Sequence, residues 1–176
     1  MNNTRKLATR KFAIWDGPLG QLIVAATAQG VCGVWFADQK YVPDTRHWVL
    51  DGAEPLLAQA KCELDEYFKG HRTTFGFPLD LTAGTAFQQS VWRALQGIPV
   101  ARTMTYGELA RHLGKPTSIR ATAGAIGRNP LSIVIPCHRV IGSNGTLTGY
   151  AGGVARKAAL LAHENSGRTM HHASPT

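Results

Sequence analysis

Ile133-Val134-Ile135-Pro136-Cys137-His138-Arg139-Val140-Ile141 is the stretch around which the rest of this chain is read. The β-branched run Ile133–Ile135 predicts a short buried strand. Pro136 ends it. A thiol, an imidazole and a guanidinium follow, and the chain turns apolar again at Val140. Three polar groups between hydrophobic segments are costly to bury unless each has a partner or a task. Cys137 is therefore read as a nucleophile that the fold presents, with His138 as the nearest base. Adjacent strand residues point to opposite faces, so neighbourhood alone proves no direct contact. A buried inert thiol and a Cys-His hydrolase are the alternatives.

Working outward, 176 residues suffice for one substantial core or two small ones packed together. An apolar fraction of 44% fits a folded globular protein. No apolar run is long enough to span a membrane. The basic start, Met1–Lys6, leads into no long apolar segment, which speaks against a secretory signal. Three cysteines in separate contexts make no disulfide framework, and a reducing cytoplasm is the expected location. The net charge of +8 is one-sided. Residues 1–84 balance nine basic against nine acidic side chains, whereas residues 85–176 hold ten basic residues and two acids, Glu108 and Glu164. Such a basic half suits a polyanion such as nucleic acid, with a merely solvated face as the plainer alternative.

The first 84 residues open with three β-type segments, Lys11–Trp15, Gln21–Ala26 and Val31–Phe36, separated by turn sequences, a meander. Glu54–Lys69 has the spacing of an amphipathic helix, closed by Gly70. Phe75–Leu81 is a partly apolar, extended connection. Cys32 and Cys62 are read as ordinary buried residues; a metal site with His47 or His71 lacks any close ligand pair.

From residue 85 the pattern becomes helical. Thr85-Ala86-Phe87-Gln88 and Thr105-Tyr106-Gly107-Glu108 are capping boxes. They open helices that bury Phe87, Val91, Trp92 and Leu95, and Leu109, Ala110 and Leu113. Gly114-Lys115-Pro116 makes a turn, and Thr117 is placed as the cap of a further helix containing Ile119, Ala123 and Ile126. Helix, short turn, helix is the helix-turn-helix pattern. The second helix is read with an exposed composition of Arg120 among Ala121, Ala123, Gly124, Ala125 and Gly127, small apart from one arginine, so the helix can approach another surface closely. Packing against its own core is the other explanation. Asn129, before Pro130, is read as a turn residue whose amide is free to hydrogen-bond. Gly145–Gly153 is a Gly-rich loop without the order of a phosphate-binding loop, and Val154–Glu164 is the last helix. Residues 166–176 read as a disordered tail in which His171-His172 is a weak metal pair at most.

Arg128-Asn129-Pro130, Pro136-Cys137-His138-Arg139 and Gly149-Tyr150-Ala151-Gly152-Gly153, in that order, resemble the O6-alkylguanine-DNA alkyltransferases. The resemblance is specific from about Thr85 to Glu164 and loose before it. It implies an α+β fold: an N-terminal small antiparallel sheet with a helix (ribonuclease H-like, residues 1–84), then a mostly helical domain with a helix-turn-helix (residues 85–165). It implies irreversible transfer of the alkyl group of O6-alkylguanine, and less so O4-alkylthymine, from duplex DNA to Cys137, once per molecule. His138 would activate the thiol through a water, Glu164 would orient the imidazole, and Asn129 would order the loop. Tyr106 would help turn the nucleotide out and donate to the leaving oxygen. Arg120 would fill the gap in the duplex, with Ala121, Gly124 and Arg128 on the DNA face. Val140, Tyr150, Ala151, Gly152 and Gly153 would hold the extruded base. Some relatives have Ser where Ala151 stands, so any contact there must come from backbone. No cofactor or metal is implied. The expected partner is double-stranded DNA, met by a protein that is a monomer in solution, with cooperativity on DNA left open.

Overall fold

The computed structural model describes residues 9–170, with side chains as far as residue 167. It is an α+β fold. The first half is a four-stranded sheet of order β3-β2-β1-β4, from β1 (Lys11–Gly17), β2 (Gly20–Thr27), β3 (Gly30–Phe36) and β4 (Val49–Leu50). β1 and β2 form a tight hairpin closed at Gly17 and Gly20, and β2 pairs antiparallel with β3. The sheet is not purely antiparallel as expected, because β4 lies parallel to β1. Its two residues are both exposed, so they carry no alternation from which a strand is legible.

Helix α1 (Pro55–Phe68) covers one face of the sheet. The Glu54 carboxylate accepts from the Leu57 N–H and Pro55 occupies the first turn, where its missing N–H costs nothing. Leu57, Ala60, Leu64 and Tyr67 are buried from this helix. Cys62, expected inside, is exposed, being on the helix's outer side; Cys32 is buried.

In the second half, α2 (Ala86–Leu95) and α3 (Tyr106–His112) begin at the expected capping boxes, with both reciprocal bonds formed. The Trp92 indole N–H donates to the Ala125 carbonyl, tying α2 to α4 (Ile119–Gly127). The cap of α4 is Ser118 rather than Thr117, and its side chain makes no capping bond. Its backbone, at φ −98° and ψ 32°, is outside the extended geometry that aims a hydroxyl at the first turn. Strands β5 (Met104–Thr105) and β6 (Val140–Ile141) form a small parallel pair. Helix α5 runs from Val154 to Met170, so residues 166–170 are helical where a disordered tail was expected. Met1–Lys6 and His171-His172 lie outside the described residues.

Ile133–Ile135 is not a strand. Ile133 has φ +74°, and the Ile135 N–H bonds back to the Leu131 carbonyl, so the segment is a compact turn. Ile133 and Ile135 are buried as expected of a strand and Val134 partly so, but the ladder that would extend them is replaced by two contacts on the edge of β3. Val34 N–H donates to the Pro130 carbonyl and Ser132 N–H to the Val34 carbonyl. Three residues earlier on the same strand, Val31 bonds the connection at Pro78 and Asp80. The edge of the sheet is therefore satisfied by the connection and by the turn of the second half, and one core runs through both halves, from Leu22 and Phe36 to Ile135 and Leu160. Among the described residues, no helix is long and apolar enough to cross a membrane.

Candidate active site

The turn is held from inside by Asn129. Its carbonyl oxygen accepts from the Leu131 N–H at 2.9 Å. Its amide nitrogen donates to the Ile135 carbonyl at 2.8 Å and reaches the Cys137 sulfur at 3.0 Å. An Asn that closes its own turn is what a residue before proline favours; here the same amide touches the thiol. Pro136 leads into a single turn of 3₁₀ helix, Cys137–Arg139. Three residues per turn send successive side chains in different directions. Cys137, His138 and Arg139 are nonetheless all buried.

His138 and Arg139 converge on Glu164 from α5. Glu164 Oε1 lies 2.7 Å from His138 Nε2 and accepts from Arg139 Nη2 and the Tyr67 hydroxyl, both at 2.8 Å. Oε2 accepts from Arg139 Nε at 2.9 Å. Arg139 also donates to the Ile98 carbonyl. Burial pushes the Glu164 carboxyl up, but the hydrogen bonds from His138 and Arg139 outweigh it and hold the group well below the usual carboxylate range. An ionised carboxylate only accepts, so the His138 proton sits on Nε2 and Nδ1 is the basic nitrogen. Nδ1 is buried and has no partner among the described residues. Burial lowers the His138 pKa against the pull of Glu164, and burial raises that of Cys137 against the Asn129 bond and the Lys157 charge. The resting pair is thus a neutral thiol and a neutral imidazole.

Lys157, on α5, is 1% exposed, although charged helix residues are mostly solvated. Its Nζ donates to the Thr148 carbonyl at 2.9 Å, and the half-buried Tyr106 hydroxyl donates to the same oxygen at 3.0 Å. Spacing held a signal for it: Lys157, Leu160 and Glu164 recur at helical intervals and are all buried. Tyr67 gave none, since it meets Glu164 across 97 positions.

The Gly-rich loop folds over this group. Tyr150 is 8% exposed. The Gly152 Cα faces the Tyr150 and Phe36 rings so closely that an added Cβ would lie 2.7 Å and 3.1 Å from them. Gly153 has φ +91° and donates to the Tyr150 carbonyl. The Ala151 carbonyl accepts from the Lys40 N–H of the loop after β3. Val140 is fully buried, its N–H bonded to the Cys137 carbonyl. Apart from this cluster, Arg120, Ala121 and Gly124 are exposed on α4, and Arg128 caps it with its guanidinium over the Tyr41 ring. The structure thus gathers Cys137, His138, Asn129 and Glu164 in one buried unit, Tyr106 and Tyr150 beside it, and Arg120 on a separate outer face.

A buried cysteine with a histidine–carboxylate pair, beside the α3–α4 helix pair, defines a protein equipped for cysteine chemistry. Two family models match: "6-O-methylguanine DNA methyltransferase, DNA binding domain" over residues 86–166, and "6-O-methylguanine DNA methyltransferase, ribonuclease-like domain" over residues 11–81. A methylated-DNA–protein-cysteine methyltransferase of Mycobacterium tuberculosis is 44% identical over 151 residues, 86% of this chain and 90% of that protein. One from Methanosarcina acetivorans is 43% identical over 158 residues, 88% of this chain and 98% of the relative. The crystal structure of M. tuberculosis OGT in complex with DNA superposes with a TM-score of 0.83 at 43% identity, over 89% of this chain and 94% of that one. The chain belongs to the methylated-DNA–protein-cysteine methyltransferase family.

Proposed function

We propose that this protein repairs DNA by moving the alkyl group of O6-alkylguanine, and less readily that of O4-alkylthymine, onto Cys137. The observation that carries the reading is the relay itself: a thiol held by Asn129, and an imidazole whose Nε2–H is fixed on the Glu164 carboxylate, leaving Nδ1 as base. The thiol proton passes to His138 Nδ1 through a water. The sulfur then forms a bond to the alkyl carbon as the carbon–oxygen bond breaks. The released electron pair goes to the guanine, which takes a proton from the Tyr106 hydroxyl, and the imidazolium returns one to the phenolate. Lys157 keeps positive charge near the developing thiolate and lowers its cost. The product is a thioether, and none of these residues has a means of cleaving it, so each molecule acts once.

A stacked base cannot reach a thiol that is 6% exposed. Arg120 enters the duplex from α4, with Ala121 and Gly124 allowing close approach and Arg128 beside them. The extruded base lies against Tyr150, read by the backbone of Val140 and Ala151–Gly153. Residues 1–84 support the reactive loop, residues 85–165 carry DNA binding and chemistry, and the protein works as a monomer in the cytoplasm.

Intact-protein mass spectrometry after mixing with a duplex containing O6-methylguanine tests this. A single methyl-sized gain on Cys137, stopping at one per molecule, is expected. Tight binding to the lesion with no gain would make the protein a sensor, and multiple turnover on an ester would make it a hydrolase.

A further inference from the structure

The loop joining β3 to β4 carries a backbone outlier. Tyr41 has φ +64°, a conformation that a bulky residue adopts rarely and at a cost, yet its ring is 56% exposed. Nothing in core packing requires an exposed ring to be held there. The Arg128 guanidinium lies 4.0 Å from the ring centroid, stacked on it. Arg128 follows Arg120 and Gly124 at intervals of four on α4, so the three share one row of the helix surface. On the other side of Tyr41, the Lys40 N–H is bonded to Ala151 in the substrate loop. The strained residue is therefore pinned between the end of the recognition helix and the loop over the active site.

Beside it opens a cleft of about 260 Å³ formed by both halves of the chain and lined by Arg10, Trp35, Tyr41, Gln88, Trp92 and Arg128 among others, none of its lining residues being acidic. Arg10 stacks on Trp48 as Arg128 does on Tyr41. Among the described residues neither guanidinium forms a salt bridge. Two arginines held on aromatic rings, the Gln88 amide and the exposed Tyr41 phenol are the chemistry that takes a phosphodiester with its attached sugar and base.

We propose that the DNA-binding surface extends onto the N-terminal half, with Tyr41, Arg128 and Arg10 gripping the DNA backbone beyond the recognition helix. This rests on the DNA-repair reading above. Eight helical residues advance about 12 Å, so the grip falls three or four nucleotides from the one Arg120 displaces, at roughly 3.4 Å per nucleotide. Tyr41 packs against the sugar or base there, and the two guanidiniums meet the phosphate.

The test measures anisotropy of a labelled undamaged duplex with the full chain, Tyr41→Gly and Arg10→Gln, beside alkyl transfer from an O6-methylguanine duplex and from free O6-benzylguanine. Glycine accepts φ +64° without strain, so the Tyr41 variant folds. Tyr41→Gly should weaken duplex binding roughly ten-fold, the size of one lost aromatic contact, and lower transfer from duplex far more than from free base. Arg10→Gln should reduce the salt dependence of binding by about one phosphate's worth. Wild-type duplex affinity in Tyr41→Gly, or an equal loss on duplex and free base, would overturn this proposal alone. Failure of the unsubstituted protein to bind duplex would overturn it together with the repair reading.

Discussion

Glu164→Gln removes one charge and almost no volume, which makes it the sharpest probe of the relay. In the native site both carboxylate oxygens are taken up by donors: His138, Tyr67 and one arm of Arg139 on Oε1, the Arg139 Nε on Oε2. A glutamine has one acceptor oxygen. Whichever way its amide turns, its NH₂ faces an N–H of Arg139, and the 6%-exposed guanidinium loses its counter-charge. Breaking a buried pair by removing one partner costs about 3–5 kcal/mol. For a protein of this size each kcal/mol lowers Tm by roughly 2–4 °C, so a fall on the order of 10 °C follows. The amide can also donate to His138 Nε2, which moves the imidazole proton to Nδ1 and removes the base. Transfer to Cys137 should therefore drop by about two orders of magnitude at a temperature where the variant is still folded. Circular dichroism melts and single-turnover transfer rates give both numbers. A variant within about 1 kcal/mol of the parent, transferring at a similar rate, would refute the coupling of charge, tautomer and fold argued above.

Acid should act through the same carboxylate. Its folded pKa is depressed, so its contribution is complete above the unfolded carboxyl pKa of about 4.3 and is lost as pH falls below it. Urea melts from pH 7 to 3 should show a steeper loss in the parent than in Glu164→Gln, which keeps only the acid dependence of other depressed carboxylates such as Asp80. Burial depresses the His138 pKa and raises that of Cys137, so the transfer rate should stay flat from below about pH 6.5 to above about pH 8.5. A break at either ordinary value would contradict the neutral pair. Tyr67→Phe removes one bond to a charged acceptor and should cost about 1.5–3 kcal/mol in chemical denaturation, with a smaller effect on rate. Lys157→Met keeps the buried stem and deletes the charge. It should slow transfer by roughly ten-fold in single-turnover assays while leaving Tm nearly unchanged, because a buried ammonium is itself costly.

What was legible in the sequence was local. Thr85 with Gln88 and Thr105 with Glu108 announce two helix starts within four residues each, and both form. The isolation of Glu164 among so few acids fits a buried partner, but a solvated helix residue is the commoner reading of a lone charge on a helix, and its role came from the family resemblance. What was not legible depended on distant chain. Ile133–Ile135 has a strand's composition, but Asn129 and the edge of β3 bend it into a turn. Thr117 has a good capping side chain, but the cap falls one residue later on Ser118, whose backbone does not aim its hydroxyl at the first turn. Tyr67 and Lys157 enter the site from helices whose periodicity shows that they are buried but not what they meet.

The pairing of β3 with both the connection and the catalytic turn bears on whether the chain can be divided. Val31 and Val34 leave backbone donors and acceptors along that edge which only residues 78–80 and 130–132 satisfy. A fragment ending near residue 77 would present an open, apolar edge of the kind that recruits another sheet, and should self-associate. The remaining fragment would lose the rail that sets the position of the turn bearing the thiol. Cooperative unfolding in a single transition, and recovery of transfer only when both pieces are refolded together, are the marks of a molecule whose support and chemistry are one folding unit.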